Sequence, residues 1–173
     1  KAGSLVRALY SYCQGVVLGL ETELAVRTTD DRHPARVRRL VAAVDAHMAP
    51  GGVLVGAGGG DGGLFAGITA RYLALVATDL PGDSAQDAAA RATARKLVLA
   101  SAEAAWDNRQ SVDGLPLFAA FWDRTAEVPT VGGAAAKFVQ GAVNSSEIPE
   151  RDLSVQVSGW MLMEAAHAVT RSG

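Results

Sequence analysis

The chain has 173 residues, 49% of them hydrophobic, and a formal net charge of −2. That length suits one domain or part of a larger one, and excludes two full-sized domains. Only 6% of residues are aromatic and roughly a fifth are alanine, a balance that favours closely packed helices over a β-sandwich.

Lys and Arg number 16 against 18 Asp and Glu, so no cationic excess is present to track phosphates, and nucleic acid is not expected as a partner. The dense group Arg36, Arg38 and Arg39 reads as the solvated face of a helix. No apolar run approaches the ~20 residues of a membrane span. The chain opens at Lys1, and Leu5–Leu9 has no small-residue cleavage site after it. No signal peptide is read there, and the start looks interior to a longer protein.

Apolar residues recur at helical spacing in five places. The first run passes through Leu9, Cys13, Val16, Val17, Leu20 and Leu24, and fades at Thr28-Thr29. A second follows Pro34 with Val37, Leu40, Val41, Val44 and Met48 on one face, and Pro50-Gly51-Gly52 ends it. The third carries Phe65, Ile68, Tyr72, Leu75 and Val76, and stops near Leu80-Pro81-Gly82. The fourth runs from Asp83-Ser84 to Trp106, and the fifth, after Pro149, holds Leu153, Val157, Trp160, Met161, Ala165 and Ala168. Short links join runs one to two and three to four, which makes antiparallel helical hairpins. Longer stretches at 49–63 and 107–149 separate the hairpins, so the loops are expected to gather on one side. Val53-Leu54-Val55 between glycines is a candidate short strand.

Several constellations bear on chemistry. The Gly56–Gly63 stretch matches neither a Walker sequence nor a dinucleotide fingerprint, which leaves a flexible loop with Asp61 as its polar anchor. Asp61 then either caps the following helix or contacts a ligand. Asp30-Asp31 sits in a short turn and reads as a capping turn, while Glu21 and Glu23 point to different helix faces and read as surface. Glu164 and His167 lie one turn apart, but a di-iron site needs two such motifs, so no metal is expected. Cys13 on an apolar face reads as buried packing. No cofactor motif is present. Tyr10, Tyr12 and Gln14 at one helix start, and Trp106 with Asn108 at another helix end, are suited to line a cleft that stacks on sugar faces.

Three motifs carry a resemblance. Tyr12-Cys13-Gln14-Gly15-Val16-Val17-Leu18-Gly19 resembles the Tyr-Asn-Gln-Gly-x-x-Leu-Gly helix opening of glycoside hydrolase family 76, the α-1,6-mannanase family. Asp61 with Phe65-Ala66-Gly67-Ile68 and Arg71-Tyr72-Leu73 is similar to that family's Asp-x-x-x-Phe-Lys-Gly-Ile-x-x-Arg-Tyr-Leu. Ala105-Trp106-Asp107-Asn108-Arg109 and Gly114-Leu115 resemble its Ala-Trp-x-Asn-Arg and Gly-Leu continuation.

The resemblance implies an all-α fold of αα-hairpins, residues 1–173 forming about the C-terminal half of an (α/α)6 toroid. It implies a glycosidase that acts with retention at α-mannosidic bonds through two adjacent aspartates in the N-terminal half, outside this chain. It further implies substrate-binding roles for Gln14, Asp61, Phe65, Arg71 and Tyr72, and Trp106 falls within the third motif. Two positions depart from the family: Cys13 replaces Asn and Ala66 replaces Lys, each removing a polar group from the expected cleft side. The alternatives are a non-catalytic glycan-binding or scaffold module of the same fold, and an unrelated helical adaptor that binds peptide. The expected partners are carbohydrate and, through an apolar flank, the N-terminal half of the same protein or a second copy.

Overall fold

The computed structural model describes residues 8–172, so most of the Leu5–Leu9 segment lies outside the described residues. Each helical run becomes a helix: α1 (Ser11–Arg27), α2 (Arg32–Met48), α3 (Phe65–Asp79), α4 (Ala85–Asp107) and α5 (Leu153–Arg171). Ser84 starts α4 by accepting a 3.1 Å hydrogen bond from the Asp87 amide. That satisfies one of the donors every helix start leaves free.

The helices stack in two layers. Tyr12 meets Phe65, Gly15 meets Thr69 and Gly19 meets Tyr72, so α1 and α3 run in the same direction. Gly63 meets Ser154 and Gly67 meets Ser158, which sets α5 parallel to α3 as well. Helices α2 and α4 return antiparallel behind them. Between the layers lies the core, with Leu18, Val37, Val44, Leu73, Leu97 and Leu162 fully buried. Small residues make the inner layer tight. A Cβ at Gly15 would stand 2.9 Å from Thr69 Cα, and one at Gly67 would stand 2.7 Å from Ser158 Cα. The helices therefore touch backbone to backbone, and the Ser158 hydroxyl accepts the Gly67 amide at 2.9 Å.

Three expectations, on Glu21, Val53–Val55 and Ala66, are corrected by the packing. Glu21 is buried under the α1–α2 turn, where it lies 2.6 Å from His33 Nδ1 and accepts from Arg36 at 2.9 Å. The His33 contact, with the Arg36 guanidinium, holds its carboxyl below its ordinary range against the opposing effect of burial. Val53–Val55 forms no strand, because the hydrogen bonds go elsewhere: Leu54 N donates to Ser101 Oγ and Val55 N to the Met48 carbonyl. The apolar stripe Val16, Val17 and Leu20 on α1 is exposed, and α1 buries Gly15, Leu18, Gly19 and Thr22 instead. Leu153, Val157 and Trp160 on α5 are likewise open, Trp160 being 69% exposed. Ala66 is only 4% exposed, so position 66 belongs to the core and not to an open cleft wall.

Residues 107–149, which carry no helical period, contain two small antiparallel hairpins. Strands β1 (Gln110–Val112) and β2 (Leu115–Leu117) form one; β3 (Lys137–Val139) and β4 (Ala142–Asn144) form the other. Both turn through two residues with positive φ, Asp113-Gly114 and Gln140-Gly141. That geometry is the tight hairpin turn whose twist matches the flanking strands.

The inner seam makes a direct prediction. Gly67→Ala places a methyl against Ser158 backbone, and overpacking of this kind lowers stability by about 1–3 kcal/mol. A urea-unfolding midpoint equal to that of the parent protein would contradict the close approach.

Candidate functional site

Three parallel inner helices bring three N-termini to one end of the molecule, and both long loops return there. Short links Thr28–Asp31 and 80–84 lie together at the opposite end, sharing a cleft that includes Asp30 and Asp87. Asp30 engages Arg32 through both the backbone N–H and the guanidinium, which hold its carboxyl well below the usual carboxylate range. The Asp30-Asp31 pair is thus a turn element, as its sequence setting indicated.

At the loop end, the Phe65 ring stands 4.5 Å from Tyr12 and 5.9 Å, edge-on, from Tyr10. Gln14, one turn beyond Tyr10 on α1, is half-buried. Asp61 sits in a 3-10 turn (Gly60–Leu64) that leads into α3, and it is exposed. Its side chain makes no cap to α3. Instead Asp61 Oδ2 accepts the Val143 amide at 3.0 Å, across 82 residues of sequence, and anchors the β3–β4 hairpin.

A second carboxylate completes the anchor. Buried Asp152 accepts from Gly60 N at 2.7 Å and from Ser146 N at 3.0 Å, and its other oxygen takes the Ser146 hydroxyl. Burial alone would raise the Asp152 carboxyl, but the bonds from Ser146 and Gly60 prevail and hold it below its ordinary value. Nor is the Gly56–Gly63 stretch a loose loop. A Cβ at Gly56 would meet the Ala120 carbonyl at 2.0 Å, and one at Gly60 would meet the Val143 carbonyl at 2.1 Å. Glycine is required where one backbone passes so close to another.

Arg71 and Tyr72 occupy a different place. They line a groove of about 820 Å³ on the open face of the inner layer, with Leu20, Glu23, Trp160 and Glu164. The Arg71 guanidinium lies 5.9 Å from the Tyr72 ring centre, and that ring covers Gly19. Phe65 and Arg71 are both on α3, separated by about 9 Å of helix axis at 1.5 Å per residue. Trp106 stands apart on α4, half exposed, with Arg109 stacked 3.7 Å from its ring centre. Asp61 and Phe65 therefore belong to the loop end and Arg71 and Tyr72 to the groove, while Trp106 lies on the outer layer.

Sequence reasoning missed Asp152 and the open position of Trp160, and gave Glu23 and Glu164 no part in the groove. Asp152 carries the look of a helix cap, and only the folded chain reveals that its partners lie 6 and 92 residues away.

The two-layer array of αα-hairpins is part of an (α/α)6 toroid, the architecture of a class of glycan-processing proteins. The family model for glycosyl hydrolase family 76 matches residues 1–156, and the chain belongs to that family. Among solved structures it is similar to an α-1,6-mannanase, GH76A of Salegentibacter sp. HEL1_6. That structure is an inactive variant with two adjacent aspartates replaced by alanine, in complex with α-1,6-mannotetrose. The TM-score is 0.71 at 26% identity, covering 98% of this chain and 43% of that one. The chain thus spans less than half the length of this mannanase. No curated protein matches it.

The Asp152 anchor is open to test. Because its folded-state pKa is lowered, its stabilisation is present above the unfolded value of about 4 and fades as pH falls through the folded one. Asp152→Ala leaves buried amides without an acceptor, at a cost of about 2–3 kcal/mol. Hydrogen exchange at Gly60 and Ser146 is expected to accelerate; unchanged exchange at both would contradict the anchor.

Proposed function

We propose that this chain is the C-terminal part of a family 76 glycosidase acting on α-linked, mannose-containing glycans. The observation that supports this most is the gathering of Tyr12, Gln14, Asp61 and Phe65, from two of the family motifs, at the loop end of one parallel helical layer. Asp61 and Gln14 supply hydrogen-bonding groups for sugar hydroxyls, Arg71 donates from the groove, and Phe65, Tyr72 and Trp106 offer ring faces to sugar C–H groups.

The chemistry is retaining. It needs two carboxyl groups about 5–5.5 Å apart, one as nucleophile and one as acid/base. Within this chain Asp30 is held by Arg32 at the far end, and the family resemblance assigns the working pair to the N-terminal half. That half, or a second copy, covers the apolar stripes Val16, Val17 and Leu20 on α1 and Leu153, Val157 and Trp160 on α5.

A non-catalytic glycan-binding module of the same fold is the second reading. The loss of the family's Asn at Cys13 favours it.

Arg71 is exposed, so its replacement leaves the core intact. In the full-length protein Arg71→Ala is expected to lower kcat/KM on α-1,6-linked mannooligosaccharides by about tenfold, with Tm unchanged. Equal kcat/KM would remove Arg71 from the site. Binding of these glycans without any turnover would select the non-catalytic reading.

A further inference from the structure

Six of the eight residues from Gly56 to Gly63 are glycine, and Asp61 is carried among them. Glycine loses more backbone freedom on ordering than any other residue. A side chain on such a stretch holds a ligand well only where the backbone is fixed beforehand. Otherwise the cost of ordering it is subtracted from binding.

Asp152, just before α5, does that fixing. One of its oxygens accepts from Gly60 N at 2.7 Å and from Ser146 N at 3.0 Å, and the other takes the Ser146 hydroxyl. Ser146 Oγ in turn accepts the Ala136 amide at 2.8 Å, so the bonds reach both ends of the β3–β4 hairpin. A Cβ at Gly59 would strike the Asp152 carboxylate, and one at Gly60 the Val143 carbonyl. The turn is wedged between Asp152 and β4.

Asp61 follows directly on Gly60. Its Oδ2 accepts the Val143 amide at 3.0 Å, and among the described residues its Oδ1 has no partner. Two carboxylates therefore cross-link the same two stretches of backbone, and they differ in what they have left. Asp61 is exposed with one oxygen free, whereas Asp152 is buried with both oxygens engaged. A carboxylate in the second state acts through what it holds.

We infer that Asp152 is a positioning residue for glycan recognition: it fixes the Gly60 turn against the β3–β4 hairpin, and so presents the free oxygen of Asp61 to a sugar hydroxyl in a preset place. The inference rests on the role of Asp61 proposed above. It adds that affinity depends on a buried residue which itself touches no sugar. An anchor that served stability alone would leave the affinity of each folded molecule unchanged.

A double-mutant cycle separates the two roles. It uses the full-length protein and non-hydrolysable, thio-linked α-1,6-mannotetraose, with affinities from calorimetry corrected for the folded fraction. Asp61→Ala is expected to weaken the tetraose about tenfold. Asp152→Ala is expected to weaken it about tenfold where Asp61 is present, and less than about twofold where Asp61 is already alanine. Asp152→Asn keeps an oxygen for the two amides and is expected to bind within about threefold of the parent. Ser146→Ala is the milder change, and serves where Asp152→Ala does not fold. It is expected to weaken binding about threefold with Asp61 present and to have no effect without it. Equal weakening in both backgrounds, or none in either, overturns the positioning role and leaves the glycan reading standing, as does an Asp61→Ala protein that binds as tightly as the parent. A parent protein that does not bind the tetraose overturns both.

Discussion

The contact on which everything else rests is the backbone-to-backbone seam of the inner layer. Gly15 against Thr69 and Gly67 against Ser158 let three parallel helices approach backbone to backbone. Parallel neighbours cannot be joined by short turns, so the chain must travel back through α2 and α4 and then through long loops. Each return delivers a loop to the same end. The gathering of Asp61, Phe65, Tyr12, Asp152 and the β3–β4 hairpin is a topological consequence of small residues at the seam.

A second consequence concerns the faces that the seam leaves open. Helices α1 and α5 bury one side against α3 and another against the outer layer, and their third sides carry Val16, Leu20 and Trp160 into an open groove. Apolar surface of this extent commonly marks an interface. The similar mannanase is more than twice as long as this chain.

Much of the fold was legible in the sequence, because helix starts and stops were marked by Pro34, Pro50, Ser84 and Pro149 and because the short links dictated hairpins. The facing of those helices was less legible. Periodicity identifies the apolar stripe of α1, yet the stripe faces the open groove, and the side that packs is made of Gly15, Gly19 and Thr22. A hydrophobic pattern cannot distinguish a core from an interface. Glu21 was unreadable for the converse reason: its burial depends on His33 and Arg36 arriving from the next helix. The hairpins escaped notice since three-residue strands are too short to show alternation, although Asp113-Gly114 is a recognised turn pair. At the site, motif matching located Asp61, but its tether to Val143 spans 82 residues and has no local signature.

The central claim is that the shared N-terminal end of the inner helices is where glycan binds. Hydrogen-exchange footprinting of the full-length protein with α-1,6-mannotetraose addresses it directly. The account predicts protection concentrated in residues 57–65 and 137–154, extending along α3 toward Arg71. Protection confined to the opposite end, at 28–38 and 80–91, or absent at saturating sugar, would contradict it.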